Sequence, residues 1–516
     1  MRSSAGSRPL DDLEAALIDA SLDAQIDMVL SQVGPDVYRA TASTGSVRFR
    51  RSIETETEHD GAPVDRYRYE VEHVDGTDPL SDTSIDRFVG LTDELAGRFP
   101  ERSDNAYPHA HDQIAQFFDS VHAPDLVAQH TAGHHFGSNL GEHGSLGVVQ
   151  SRAPFIVSGA GVTPRGTIAQ SARMIDVAPT LLRLLGAAPH PASIGPTGAP
   201  RASGLLLRQD GDPLTGIVDH GAADHVVVVL LDGCNANVLY DAIGGGDAPA
   251  IASLAASGTS LGHGLLASLP TATLANHTTA STGAHPGHSG VLHNMWHDRT
   301  RRVTPDLLAM DQMFDAMVHL RADVETVHQA VHRNRPDAFT AALFEFCDTG
   351  ADVSSFADFR AGRAPALPAA DTLDGATKEF VGASGAYSFI SSVDELATRQ
   401  AVDLWNRTEG NPLPDFTFLA LSLTDEAGHE GGPHSEMARA AIVDSDRRVA
   451  RLLDAIDRSG VRERVAVVVM ADHGMEVNDP SNDLAWADVR ERVASDGDGL
   501  ADVADGWFYL ATSTDL

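Results

Sequence analysis

A stretch of fifteen residues, LPTATLANHTTASTG (269–283), combines an unusual number of hydroxyl groups with one histidine. Five of its residues are threonine, and His277 follows Asn276 near its middle. A hydroxyl is a weak nucleophile at its ordinary pKa, so it needs an adjacent base or a metal ion to act on a substrate. The segment therefore suggests a nucleophilic threonine, provided that the fold brings an activating group to it.

Carboxylates and imidazoles that could supply such a group follow short apolar runs elsewhere in the chain. The runs and the side chains that end them are VVVVLLDG with Asp232, FTFLALSLTD with Asp425 and then His429, and RVAVVVMADHG with Asp472 and His473. Each residue alone has a local explanation, as a turn residue or a helix cap. Because parallel strands present their carboxyl ends at one edge of a sheet, we expect these side chains to meet there. Asp and His are ligands for Zn²⁺ and similar ions, and one or two such ions could activate a hydroxyl.

Strand-like segments that alternate with helix-like ones predict an α/β fold with a mostly parallel sheet. The three apolar runs and RAPFIVSGAG (152–161) have the composition of buried parallel strands. Apolar residues at helical spacing predict helices at 248–257, 305–320 and 435–456. Residues 40–75 alternate enough to predict a small β excursion, whose arginines either help to hold a substrate or form a salt-bridged surface hairpin.

Composition limits the class of partner and the compartment. The formal net charge of −36 disfavours nucleic acid and anionic membranes as partners. A phosphate substrate would then need local positive charge, which a metal centre could supply. Without an apolar run of eighteen residues or a signal segment, and with only two cysteines, Cys234 and Cys347, the chain is expected to be cytoplasmic and free of membrane spans and disulfides.

Residues 270–294, PTATLANHTTASTGAHPGHSGVLHN, resemble the nucleophile segment of the alkaline phosphatase superfamily, in particular of the nucleotide pyrophosphatase/type I phosphodiesterase family. In that family a threonine follows Pro-Thr-x and precedes x-x-Asn-His, and an asparagine closes a later H-G-x-x-x-N. The resemblance implies that the nucleophile is Thr273, not Thr271, and that Asn294 provides the amide that stabilises the transition state. It also implies an alkaline-phosphatase-like fold.

The family's metal-ligand motifs have counterparts as well. They fall on Asp232, on DEAGH with Asp425 and His429, and on DHGM with Asp472 and His473. The resemblance implies two divalent ions, with Zn²⁺ as the first candidate and Mn²⁺ or Fe²⁺ as others. One ion would be held by Asp425, His429 and a last histidine, the other by Asp232, Asp472, His473 and the nucleophile Thr273.

The last histidine lies in an unexpected place. The family carries it in a G-x-H-G-S-L segment downstream of D-H-G-M, whereas no histidine follows His473 in this chain. GEHGSLG occurs instead at 141–147, so the resemblance assigns the role to His143. The nearby His130, His134 and His135 are rivals.

This order implies a circular permutation of the family sequence. Residues 1–205, with the β excursion at about 40–75, resemble the family's C-terminal part, 206–223 form a connector, and 224–516 resemble its N-terminal and central part. Together they would make one catalytic domain, with the new chain ends close together. The alternative is a separate N-terminal domain.

The resemblance implies hydrolysis of a phosphodiester or nucleotide pyrophosphate bond in a small phosphate ester, through a phospho-threonine intermediate. Asn294 favours diesters, because monoesterases tend to use a cation there. A phosphonate C–P hydrolase and a phosphomonoesterase are the alternatives, and a non-catalytic metal-binding scaffold is an alternative of another class. A cap insertion at about 295–400 would shape the leaving-group pocket. Its aromatic residues either stack on a base or pack in the core: Trp296, Phe344, Phe346 and Tyr387.

Overall fold

A computed structural model of the chain describes residues 10–18, 25–58, 61–86, 91–96, 105–131, 133–134, 139–309, 312–369, 385–479, 500–502 and 507–510. The strands in this part are β1 (Ile26–Gly34), β2 (Val37–Ala42), β3 (Gly45–Thr57), β4 (Pro63–Gly76), β5 (Leu126–His130), β6 (Gly141–Glu142), β7 (Arg152–Ala153), β8 (Phe155–Gly159), β9 (Gly166–Ile168), β10 (Ala172–Arg173), β11 (His225–Leu231), β12 (Thr259–Leu261), β13 (Leu265–Leu266), β14 (Thr340–Leu343), β15 (Val353–Ser354), β16 (Phe416–Leu421), β17 (Val465–Met470), β18 (Glu476–Val477), β19 (Leu500–Asp502) and β20 (Trp507–Leu510).

The α-helices in the described part of the chain are α1 (Leu10–Leu17), α2 (Leu91–Ala96), α3 (Ala110–Phe117), α4 (Val148–Ser151), α5 (Val177–Leu184), α6 (Ala236–Gly245), α7 (Pro249–Ser257), α8 (Thr273–Thr282), α9 (Pro286–Ser289), α10 (Val327–Asn334), α11 (Ser355–Arg360), α12 (Gly385–Asn406), α13 (Leu423–Gly431) and α14 (Glu436–Arg458). None of them combines the length and apolar character that crossing a bilayer requires.

The predicted α/β fold with a mostly parallel sheet is confirmed. The central sheet has the order β15-β14-β16-β11-β17-β8-β12-β9, and its first five strands run parallel. Every residue of β11, β16 and β17 is buried, because helices cover both faces of a parallel sheet. The run at 152–161 also forms a strand, β8, but it pairs antiparallel to β17.

Two of the three predicted helices form as expected, as α7 and α14. The helix predicted at 305–320 is wrong, since the described residues of that range, 305–309 and 312–320, form only a 3₁₀ segment, at Met313–His319. Leu308, which precedes the 3₁₀ segment, and Val318, which lies in it, are both 62% exposed. A helix there would have little apolar face to bury, and burial supplies most of the stability of a protein helix.

The β excursion is larger than predicted. A second, antiparallel sheet has the order β19-β20-β5-β1-β2-β3-β4, and β3 and β4 form its long hairpin. The hairpin arginines form ion pairs within the protein, as Arg51 does with Asp119 and Asp36. The salt-bridged hairpin is therefore the interpretation that the contacts favour. Strand β20, near the end of the chain, pairs with β5, which in turn pairs with β1.

The segment 206–223 has no helix and no strand beyond isolated bridges, yet it packs closely. Leu206, Ile217 and Val218 contribute to the core of the central sheet. The segment is therefore an ordered irregular connection rather than a loose linker.

One polar residue in the core is expected to lower the stability of the fold. His328, on α10, is fully buried against the ring of Phe416, at 4.9 Å between centroids. Neither ring nitrogen has a hydrogen-bond partner among the described residues. Burial lowers the pKa of His328 to about 3, so the imidazole stays neutral in the folded protein far below its ordinary titration range near pH 6.5.

We expect His328→Leu to stabilise the protein by about 1–3 kcal/mol at neutral pH, because it removes a buried polar group without partners. The wild type binds a proton at this site only when unfolded, so it loses stability as the pH falls from 6.5 toward 3, at about 1.4 kcal/mol per unit. The advantage of the variant should therefore grow by about 2 kcal/mol between pH 7.5 and pH 5 in urea unfolding. An advantage that does not change with pH would contradict this account.

Candidate active site

Most of the threonine hydroxyls in the segment 269–283 form hydrogen bonds to the backbone and so stabilise the fold. On α8, the hydroxyl groups of Thr278, Thr279 and Thr282 donate to carbonyls one turn earlier, at 2.8, 2.9 and 2.6 Å. Thr271 donates to the carbonyl of Ser145 and accepts from a backbone amide. The hydroxyl of Thr273, at the first residue of α8, instead lines a cleft.

The loop before Thr273 is fixed by amide side chains. Asn276 donates to the carbonyls of Ser268 and Pro270 at 3.1 and 2.9 Å, and its Oδ1 accepts from the Ser268 amide at 2.7 Å. From α3, Gln113 hydrogen-bonds the backbone of Ala267 and Leu269. Residues far apart in sequence thus hold the turn that presents Thr273.

Three carboxylates meet below this hydroxyl. Asp232 follows β11, Asp472 follows β17, and Asp425 lies in the first turn of α13. One oxygen of each is buried without a hydrogen-bond partner among the described residues. Burial and the charges of the other two carboxylates raise the pKa of Asp232 to about 7, and burial raises that of Asp472 to about 6. Such a cluster is stable in its ionised form only with a cation beside it.

The surrounding histidines are oriented as metal ligands. The Nδ1 atoms of His143, His429 and His473 donate to the carbonyls of Thr271, Gly141 and Gly474 at 2.7, 2.8 and 2.9 Å. A carbonyl can only accept, so in the neutral form of each ring the lone pair lies on Nε2. This is the second-shell arrangement that metal-ligating histidines usually have.

The three Nε2 atoms face the carboxylates. His143 and His429 lie 3.8 and 3.4 Å from oxygens of Asp425, and His473 lies 3.1 Å from Asp472 and 3.4 Å from Thr273 Oγ1. The rings of His143 and His473 stack at 3.7 Å. Carboxylate oxygens and neutral imidazoles directed at one another fit divalent cations of the Zn²⁺ type.

The structure thus brings together all seven sequence-predicted ligands, with His143 among them. Of its rivals, His134 hydrogen-bonds the hydroxyl of Thr131, and His130 lines the cleft at the end of β5. Among the described residues neither belongs to a group that could hold a metal ion, and His135 lies outside the described residues.

Sequence reasoning missed one histidine, His277. Its Nδ1 is 2.7 Å from Glu345 Oε2, and its Nε2 lies 3.8 and 3.7 Å from Asp232 and Asp472. Burial alone would lower the pKa of His277, but the carboxylates of Glu345 and Asp232 raise it well above the usual value. The signal was available, since His277 lies one helical turn after Thr273 and Glu345 follows strand β14.

The cleft above the carboxylates has a volume of about 490 Å³. Asn294 lines it, and its Oδ1 accepts from the Leu274 amide at 3.2 Å, while none of the described residues accepts a hydrogen bond from its NH₂. None of the described residues that line the cleft is Lys or Arg. The aromatic candidates Trp296, Phe344, Phe346 and Tyr387 do not line it, whereas Trp507 of β20 does.

A family model described as type I phosphodiesterase / nucleotide pyrophosphatase matches residues 226–508, more than half of the chain. The chain belongs to this family. The match spans the candidate nucleophile and every candidate ligand except His143, which lies in the part of the chain before it.

A curated relative of this family member is mouse ectonucleotide pyrophosphatase/phosphodiesterase family member 1. The two are 33% identical over 76 residues, which is 15% of this chain and 8% of the mouse protein. The chain therefore matches only a small part of that relative's length.

Among solved structures, murine ectonucleotide pyrophosphatase/phosphodiesterase 5 in complex with AMP is 16% identical, with 49% of this chain and 57% of that one covered, at a TM-score of 0.31. Phosphonoacetate hydrolase from Sinorhizobium meliloti is 21% identical, with 49% and 57% covered, at 0.33. Alkaline phosphatase PafA is 15% identical, with 49% and 63% covered, at 0.34. With scores this low, the family assignment rests on the 226–508 match alone.

In this family member, a glycine allows two strand ends to approach each other. Gly233 has φ +60°, and a Cβ there would lie 2.3 Å from Asp425 Oδ1. We expect Gly233→Ala to displace Asp425 and to weaken metal binding by roughly 10- to 100-fold, as loss of a supporting residue does in other metal sites. The measurement is metal content after dialysis.

Gly246→Ala is the matched control, because Gly246 has φ +85° but no atom within 4 Å of the added Cβ. Both variants carry the same kind of backbone strain. Equal loss of metal in the two would mean that strain, rather than displacement of Asp425, is the cause.

Proposed function

We propose that the chain hydrolyses phosphodiester or nucleotide pyrophosphate bonds, with Thr273 as the nucleophile. The observation that carries the proposal is the position of Thr273 in the cleft, with its Oγ1 3.4 Å from His473 Nε2, which in turn lies 3.1 Å from Asp472 Oδ2, an oxygen without a hydrogen-bond partner among the described residues. Membership of the type I phosphodiesterase family supports the same chemistry. The proposed substrate is a small phosphate ester.

The donor set supports two divalent cations, which we take to be Zn²⁺. The proposed ligands are Asp425, His429 and His143 for one ion, and Asp232, Asp472, His473 and Thr273 for the other. When bound, such ions neutralise charge on phosphoryl oxygens and lower the pKa of a coordinated hydroxyl.

The protein's own groups then carry the reaction. Thr273 Oγ gives up its proton and attacks phosphorus, the bond from phosphorus to the leaving oxygen breaks, and that oxygen departs with the electron pair and takes up a proton. The phosphoryl group is now esterified to Thr273. A water molecule attacks phosphorus in the second step, and Thr273 leaves with its oxygen and regains a proton.

Besides the metal ions, the protein accelerates the reaction by positioning the nucleophile and by hydrogen bonding to the phosphoryl group. The loop fixed by Asn276 holds Thr273 in one place, so little conformational entropy has to be lost on reaching the transition state. The NH₂ of Asn294, which has no acceptor among the described residues, can donate to a non-bridging oxygen as negative charge develops on it.

The cleft favours diesters over monoesters. A phosphate monoester carries a second negative charge, which a Lys or Arg side chain would normally meet. None of the described cleft residues is a Lys or Arg, and the donor next to Thr273 is the neutral Asn294. Cleavage of monoesters is therefore the less favoured function.

We also propose that the chain is a circular permutant that forms one catalytic domain from 1–205 and 224–516, joined by 206–223. Two contacts support this. His143 lies 3.8 Å from Asp425, and β8 pairs with β17 inside the central sheet. Strands from the two ends of the chain, β1 and β20, flank β5 in the second sheet.

The test of the proposed function compares kcat/KM for bis(4-nitrophenyl) phosphate and 4-nitrophenyl phosphate with the metal-reconstituted protein. We expect the diester to be preferred. Preference for the monoester would contradict the diesterase assignment, and absence of activity on both with two ions bound would favour a phosphonate substrate or a scaffold.

A further inference from the structure

The residue before Asn294 is a histidine that lines the same cleft as Thr273. The Nδ1 atom of His293 accepts a hydrogen bond from the backbone amide of Met295 at 3.3 Å. A ring nitrogen that accepts must carry a lone pair, so the imidazole proton is on Nε2. None of the described residues accepts a hydrogen bond from that Nε2, and His293 is a wall residue of the cleft.

The ring is held in place and kept uncharged by its surroundings. The indole of Trp507 packs against it with the ring centroids 4.8 Å apart and the planes at 47°. Burial and, to a smaller extent, the neighbouring His143 lower the pKa of His293 to about 4. At neutral pH, His293 therefore offers one fixed N–H without adding positive charge to the cleft.

We propose that His293 is a specificity-determining residue, whose Nε2–H donates to an oxygen of a singly charged phosphodiester beside the amide of Asn294. The inference rests on the proposed function and deepens it, because it identifies the charge of the preferred substrate. A neutral donor satisfies the one negative charge of a diester but leaves the second charge of a monoester without a partner. Two adjacent residues, His293 and Asn294, would then bind the phosphoryl group through hydrogen bonds from neutral side chains, without a positively charged one.

Three variants of the full-length, metal-loaded protein test this role. His293→Leu removes the donor, His293→Gln keeps a neutral donor, and His293→Arg adds a permanent charge. The probes are bis(4-nitrophenyl) phosphate and 4-nitrophenyl phosphate, and metal content is measured for each variant.

We expect His293→Leu to lower kcat/KM for the diester by roughly 10- to 100-fold, the loss expected for one hydrogen bond to a charged group. Two bound ions should remain, and His293→Gln should recover most of the activity. His293→Arg should shift the diester-to-monoester ratio toward the monoester by about tenfold or more.

Either an unchanged diester kcat/KM in the Leu variant or an unchanged ratio in the Arg variant would overturn the role of His293. If the Leu variant loses metal or unfolds, the ratios of the Gln and Arg variants decide. A wild type that cleaves the diester while all three variants match it refutes only this inference. A wild type that does not cleave the diester refutes the proposed function and this inference with it.

Discussion

Replacing Thr273 by alanine is expected to lower kcat/KM for a phosphodiester by roughly 10³-fold or more, since the variant lacks the group that attacks phosphorus. Metal content should change little, because the ion that Thr273 would help to hold keeps three other proposed protein ligands, Asp232, Asp472 and His473. Thr273→Ser keeps a hydroxyl at the same position and should retain much more activity than the alanine variant. The measurement is steady-state hydrolysis of bis(4-nitrophenyl) phosphate.

Thr279→Ala provides the control for a general effect on α8. The hydroxyl of Thr279 is buried and donates to the Ala275 carbonyl, so its loss should affect stability slightly and catalysis hardly at all. If Thr279→Ala lost as much activity as Thr273→Ala, the integrity of the helix and not the nucleophile would explain the effect.

His143→Ala is expected to have the second large effect, the loss of one of two bound ions. His143 would supply one of the three protein ligands of the ion shared with Asp425 and His429, and removal of a ligand weakens a site more than removal of its support. We expect about one ion per chain after dialysis, and a fall in diester kcat/KM of roughly 10²-fold or more. Metal analysis and kinetics on the same sample check both results.

The matched control is His134→Ala, which removes a nearby rival histidine that hydrogen-bonds Thr131. It should keep two ions and full activity. If His134→Ala lost the ion while His143→Ala kept it, the assignment of the last ligand and the support that it gives to the permutation would both be wrong.

The central sheet was the most predictable part of the fold. Strands such as β11, with the sequence HVVVVLL, are buried on both faces and therefore appear as continuous apolar runs. The antiparallel direction of β8 could not be predicted, because its own sequence is equally apolar and pairing direction depends on how distant segments connect.

The second sheet was underestimated for a related reason. Strand β4 is mostly exposed and charged, so it carries little of the apolar pattern on which sequence reasoning depends. Strands β5 and β20 of the same sheet are short, and they pair although they lie far apart in the sequence, which no local pattern reveals.

In the candidate site, the ligand side chains could be predicted because strand ends in a parallel sheet converge. The choice among hydroxyls could not be made from spacing alone. It depends on side-chain direction, since Thr278 and Thr279 bond to their own helix while Thr273 faces the cleft. Likewise, the wall formed by His293 and Trp507 joins residues about two hundred positions apart.

The central claim is that bound metal and Thr273 together produce phosphodiester hydrolysis. It is tested most directly by titrating metal-free wild type and Thr273→Ala with Zn²⁺ while bound metal and bis(4-nitrophenyl) phosphate hydrolysis are followed together. We predict that both proteins bind two ions per chain and that only the wild type gains activity, with a plateau at two equivalents. Full activity in the metal-free wild type, or in the loaded Thr273→Ala variant, would contradict the account.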